Sequence, residues 1–117
     1  MNNKTKIFYK RVDLTKSFQI KKLFQSLKQK FSSIDILINC AGIQHLSSVE
    51  NFSEKMWEKV LSINLSSSFY TSKYALPLMK KNKWGRIINI CSVHGQVASL
   101  NKSAYVASKH GMIGLTK

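Results

Sequence analysis

This sequence predicts an α/β fold built on a parallel, doubly wound sheet. Two short apolar runs, residues 34–39 and 86–91, read as strands buried on both faces. Long helical patterns stand between and after them, and strands alternating with such helices make parallel βαβ units. In open sheets of this kind ligands sit beyond the carboxyl ends of the strands. The chemically informative residues should therefore follow positions 39 and 91.

The elements justify themselves in order. Residues 7–12, IFYKRV, alternate in part and are rich in β-formers, which predicts a first strand. Asp13 and Thr15 follow as turn or capping residues. Ile20, Leu23, Phe24, Leu27 and Phe31 recur at helical spacing with lysines on the other side, so 15–32 is predicted as an amphipathic helix. Residues 34–39, IDILIN, are the second strand, closed by Asn39 and Gly42. From Ser53, a good N-cap, a helical pattern runs through Trp57, Val60, Leu61, Asn64, Leu65, Phe69 and Leu76 to 81, with Pro77 near its end. Gly85 introduces the third strand, 86–91, RIINIC, and 103–116 reads as a last helix.

Composition limits the function classes. A chain of 117 residues suits one small domain, and 44% hydrophobic content marks it as globular. No apolar run approaches the ~20 residues of a membrane span, and Met1–Lys6 is polar without a signal-like core, so a cytoplasmic location is expected. Cys40 and Cys91 form neither a disulfide framework nor a metal spacing. His45 and His110 share no ligand spacing with His94, so no metal is expected. The net charge of +14 could signal a nucleic-acid partner. Against that, all the basic residues except Arg11 and Arg86 are lysines, scattered along the chain, whereas readers of phosphates and base edges favour arginine. A solvated lysine-rich surface accounts for the charge.

The segments after the two buried strands carry the chemistry. Asn39-Cys40-Ala41-Gly42 follows the first, and Cys91-Ser92-Val93-His94-Gly95 the second. Further on, Tyr105-Val-Ala-Ser-Lys109 places a phenol and an ammonium at i and i+4, on one face of a helix. A neighbouring cation favours the phenolate, and such a base can take the hydroxyl proton of an alcohol while hydride leaves the carbon. Ser92, at the end of the adjacent strand, could hold the substrate oxygen against that phenol. Singly, these features also have plain readings, as a packed Tyr with a surface Lys, a turn serine and a permissive glycine turn. Their conjunction, in this order and on these elements, carries the inference.

With these residues in place, the chain resembles the short-chain dehydrogenase/reductase family along its whole length. Asn39-Cys40-Ala41-Gly42 is similar to the family's Asn-Asn-Ala-Gly motif, with Cys40 the one departure. Asn64 is similar to the family's mid-helix asparagine, which interrupts the helix and holds a water linking the lysine to solvent. The resemblance implies a Rossmann-like sheet and a catalytic tetrad of Asn64, Ser92, Tyr105 and Lys109. It implies NAD as cofactor, contacted by Asp13, Leu14, Asn39, Ala41, Gly42, Tyr105 and Lys109. The acidic position on the family's second strand, which separates NAD from NADP, does not occur in this sequence, so NADP stays open.

A narrower match, through Gln44, Trp84–Ile90, Ser92–Gly95, Lys102, Tyr105 and Lys109–Gly111, resembles the branch of the family that oxidises 3-hydroxybutyrate to acetoacetate. There the positions of Gln44, His94 and Lys102 meet the substrate carboxylate, with Ser92 and Tyr105 at its hydroxyl. A cation flanked by two donors is sound chemistry for a small carboxylate. Each of the three also has a plain reading, as a loop glutamine, a turn histidine and an exposed lysine. Other branches, such as 3-oxoacyl reductases, and an inactive remnant stand as alternatives. The full-length form is implied to be a homotetramer acting on a small hydroxy or keto acid, with no nucleic acid and no membrane partner.

No glycine-rich turn of the kind that cradles a pyrophosphate occurs in the sequence. Matched to the family's strand order, 3-2-1-4-5-6-7, the chain begins at the third strand and stops within the helix of Tyr105 and Lys109. One incomplete domain is therefore expected, without the cofactor's phosphate-binding segment or the substrate lid, and Met1 could be a downstream start. Unpaired strand edges and doubtful activity of these residues alone are the corresponding expectations.

Overall fold

The computed structural model describes residues 6–117; the polar residues 1–5, read above as free of a signal segment, lie outside it. Four α-helices and two strands form in the order α1 (Ser17–Lys30), β1 (Ile36–Asn39), α2 (Glu54–Leu61), α3 (Ser67–Lys81), β2 (Arg86–Asn89) and α4 (Ser103–Thr116). Single 3-10 turns lie at Val49–Asn51 and Val93–Gly95. The strands are parallel and in register, Ile36 facing Arg86 and Asn39 facing Asn89.

Local chemistry explains the boundaries. Ser53 caps α2, its hydroxyl accepting from the Met56 N–H at 3.4 Å. The long helix predicted over 53–81 forms as α2 and α3 joined without a break through a π-helical turn, Ser62–Ser66, centred on Asn64. Pro77 is accommodated inside α3, one turn before its end. Past α3 the chain reverses through Lys83, at φ 55°, into Gly85. A Cβ at Gly85 would sit 2.5 Å from Met79 Cγ, so glycine is needed for β2 to start this close to α3.

Parallel pairing sends alternate side chains to opposite faces. Leu37 and Ile87 point to the helical side, where they pack against the buried cluster of Ile20 and Phe24 from α1 and Ala75 and Met79 from α3. A second buried zone joins Val60 and Asn64 to Ala104, Ser108 and Met112 of α4. There α4 approaches closely because Gly111 lies over Leu65; a Cβ would come within 2.7 Å of Leu65 Cδ2.

Two expectations change. The strand predicted over 7–12 is not formed: the segment makes no ladder with another strand, and a strand exists only as a paired state. Phe8 instead lies on α1's end, edge-on to Phe31 with the Lys30 ammonium 3.9 Å from its ring centroid, while Ile7 and Tyr9 are exposed. The sheet is also covered on one face only among the described residues. Ile36, Ile38, Ile88 and Ile90 share the other face and are 44–57% exposed. The radius of gyration, 16.3 Å, exceeds the roughly 13 Å of a compact chain this long.

Candidate active site

The carboxyl ends of β1 and β2 are locked together by amides. Asn39 Nδ2 donates to Asn89 Oδ1 at 2.8 Å, and Asn39 Oδ1 accepts from the Thr71 hydroxyl of α3 at 2.7 Å. Asn89 Nδ2 continues to the Thr116 hydroxyl of α4 at 3.0 Å. The Asn39–Asn89 pair at the two strand ends thus fixes the sheet relative to α3 and α4. The Asn39 side chain is committed to this network, so its bearing on a ligand is to place the Cys40–Gly42 turn.

Beyond β1, that turn leads into a loop held by Asn64. Its fully buried amide grips Ile43 twice, accepting from the Ile43 N–H at 2.8 Å and donating to the Ile43 carbonyl at 2.9 Å. The same Nδ2 donates to Ser108 Oγ at 3.1 Å, and Ser108 donates to the Tyr105 carbonyl at 2.7 Å. Asn64 therefore fastens the β1 loop directly to the helix carrying Tyr105 and Lys109. A Cβ on Gly42 would lie 3.6 Å from Asn64 Oδ1 and 3.8 Å from Lys109 Nζ, which shows how closely the three converge.

Lys109 is 4% exposed, and its ammonium donates to the Ile90 carbonyl at 3.0 Å. It lies 5.7 Å from the centroid of the Tyr105 ring, as the one-turn spacing requires. The Tyr105 ring meets the His94 ring edge-on at 5.9 Å. His94 Nε2 is 3.1 Å from Lys102 Nζ. An ammonium has only donors, so this contact makes Nε2 the acceptor and leaves the proton on Nδ1. His94 Nδ1 is buried without a hydrogen-bond partner. Ser92 Oγ accepts from the His94 N–H at 3.2 Å, which leaves its hydroxyl proton free to donate outward.

The structure thus brings Asn64, Gly42, Lys109 and Tyr105 into one group and His94, Lys102 and Ser92 against it. Gln44 is exposed on the loop between Ile43 and Ser47, with no side-chain bond among the described residues. Leu14, Asn39 and Ala41 line a cavity of about 560 Å³ along β1, walled by Leu23, Leu27 and Thr71. Asp13, on the surface beside Leu14, accepts from both the N–H and the hydroxyl of Thr15, at 2.9 and 2.7 Å. Those bonds hold its carboxyl below the ordinary value. One carboxylate oxygen remains open to a donor.

Sequence reasoning passed over Ser108, Thr71, Asn89 and the Ile90 carbonyl. Asn89 alone had a readable signal, since it closes the second buried strand as Asn39 closes the first. No group of three or more potential metal ligands occurs among the described residues, and no helix there is long and apolar enough to cross a membrane.

Comparisons with known proteins place the chain among dehydrogenases. Residues 1–117 match the short chain dehydrogenase family profile. The chain is 46% identical over 112 residues to a D-beta-hydroxybutyrate dehydrogenase of Cupriavidus necator, covering 96% of this chain and 43% of that protein. It is 42% identical over 106 residues to a 3-oxoacyl-[acyl-carrier-protein] reductase of Buchnera aphidicola, covering 91% of this chain and 43% of that protein. Among solved structures, a 4-hydroxyisoleucine dehydrogenase complexed with NADH superposes with a TM-score of 0.85 at 42% identity, covering 90% of this chain and 47% of that one. The chain spans less than half the length of each.

Proposed function

Since this chain belongs to the short chain dehydrogenase family, we propose that it carries the catalytic segment of an NAD-dependent enzyme that oxidises 3-hydroxybutyrate to acetoacetate. The observation that carries the reading is the His94–Lys102 pair set edge-on to the Tyr105 ring. A cation and an imidazole beside a proton-transferring phenol suit a substrate whose carboxylate lies close to its hydroxyl.

Within that reading Tyr105 accepts the hydroxyl proton of the alcohol, with the Lys109 ammonium 5.7 Å from its ring centroid. Ser92 donates its free hydroxyl proton to the substrate oxygen. Lys102 meets the carboxylate, and His94, whose Nε2 lies 3.1 Å from Lys102 Nζ, holds that ammonium in place. NAD, when bound, supplies the acceptor for the hydride. The residues suited to hold it are Asp13 and Leu14 toward the adenine, Ala41 and Gly42 along β1, and Tyr105 and Lys109 toward the ribose. The open carboxylate oxygen of Asp13 and the single carbonyl partner of the buried Lys109 support that fit.

The likeness to a 3-oxoacyl reductase favours a second reading, reduction of a carrier-bound keto ester. The two part at Lys102 and His94, because such an ester bears no carboxylate beside its carbonyl. In a protein carrying these residues at the length of the relatives, Lys102→Ala or His94→Ala should raise KM for 3-hydroxybutyrate on the order of tenfold or more, and change an uncharged secondary alcohol little. Equal losses for both substrates would remove the carboxylate assignment.

A further inference from the structure

Asn101 is one of two described non-glycine residues in the left-handed region, with φ 60°. Most L side chains resist that conformation, asparagine tolerates it better, and glycine adopts it freely. The residue is exposed, and its amide makes no hydrogen bond among the described residues. What the side chain contributes is therefore tolerance of the backbone.

That backbone joins two loops. The Asn101 carbonyl accepts from the Ser47 N–H at 3.0 Å, across from the loop that carries Gln44. Asn64 holds that same loop four residues earlier, at Ile43. On its other side Asn101 precedes Lys102, which opens α4 and reaches His94 at 3.1 Å. A residue whose side chain makes no hydrogen bond among the described residues thus sits between the loop of Gln44 and the Lys102–His94 pair.

We propose that Asn101 is a positioning residue. Its left-handed turn clamps the Gln44 loop to the start of α4 and so aims Lys102 at His94. The functional value of the clamp rests on the carboxylate reading above; the clamp itself does not. Rotating residue 101 into an extended conformation would turn its carbonyl away from Ser47 and redirect Lys102. A β-branched residue favours that rotation, and glycine does not.

The test is amide hydrogen exchange and 15N spectroscopy on the 117-residue chain and two variants. Asn101→Val should speed exchange at the Ser47 amide on the order of tenfold and shift the His94 ring nitrogens from their native positions. Asn101→Gly, which deletes the whole side chain, should keep both native. Native Ser47 protection and native His94 signals in Asn101→Val would overturn the proposal, as would Asn101→Gly behaving as badly as valine. If the clamp responds as expected while Lys102→Ala, in a protein carrying these residues at the length of the relatives, spares the preference for the acid, the clamp stands and the substrate reading falls.

Discussion

Asn64→Ala removes the amide that ties the β1 loop to α4, and its cost can be worked from three hydrogen bonds. They are the two to Ile43 and the one to Ser108, at 2.8, 2.9 and 3.1 Å. At about 0.5–1.5 kcal/mol each, their loss amounts to about 1.5–4.5 kcal/mol. Alanine's better helix propensity returns up to about 0.7 kcal/mol. A net loss near 2.5 kcal/mol corresponds to a Tm lowered by roughly 10 °C for a domain of this size. Thermal unfolding followed by circular dichroism reads that shift, and exchange at the Ile43 amide localises it. Asn64→Asp is the informative companion, since it keeps the acceptor for the Ile43 N–H while losing both donors. It should restore much of the Ile43 protection and only part of the Tm. A shift under about 0.5 kcal/mol, with the Ile43 amide still protected, would refute the claim that this side chain holds the loop.

Two further outcomes follow from the same geometry. Thr15→Val should move the Asp13 titration upward toward its ordinary value of 3.8, because the lost hydroxyl is the largest cause holding it down. With the folded carboxyl depressed, its contribution to stability is complete above the ordinary value and is lost as pH falls through the folded one, so the variant should lose it at higher pH. A carboxyl 13C titration that does not move would contradict this. Calorimetric titration of NAD into a polypeptide of these 117 residues should give no measurable binding, since no glycine-rich turn among them can receive the pyrophosphate. Saturable heats would show that Asp13, Gly42 and Lys109 suffice.

Much of this was legible in the sequence because burial writes itself as pattern. The runs at 34–39 and 86–91 became β1 and β2, β1 shorter by Ile34 and Asp35 at its start and β2 by Ile90 and Cys91, which turn into the site loop. The helical stripe of Ile20, Phe24 and Leu27 became the face of α1 that packs on α3. Residues 7–12 misled because alternation records a tendency to pair, and no strand among the described residues pairs with them. The bare isoleucine face of the sheet has the same origin: a doubly wound pattern describes both faces, whatever covers them. Tyr105 and Lys109 were legible because a one-turn spacing fixes their proximity. The π turn at Asn64 was not, since periodicity cannot register one extra residue in a continuous helix; only the resemblance marked it. Ser108 and Thr71 were invisible for a different reason. A small hydroxyl inside a helix has no pattern of its own, and only the packed structure shows what it touches.

We propose Tyr105 as the proton-transferring group of a hydroxy-acid dehydrogenase's catalytic segment. The most direct test replaces the matching segment of the Cupriavidus necator relative with this sequence and measures NAD reduction on 3-hydroxybutyrate, with and without Tyr105→Phe. The chimera should turn over, and kcat should fall about a hundredfold or more in the phenylalanine variant, with NAD binding retained. A folded, NAD-binding chimera whose turnover survives Tyr105→Phe would contradict it.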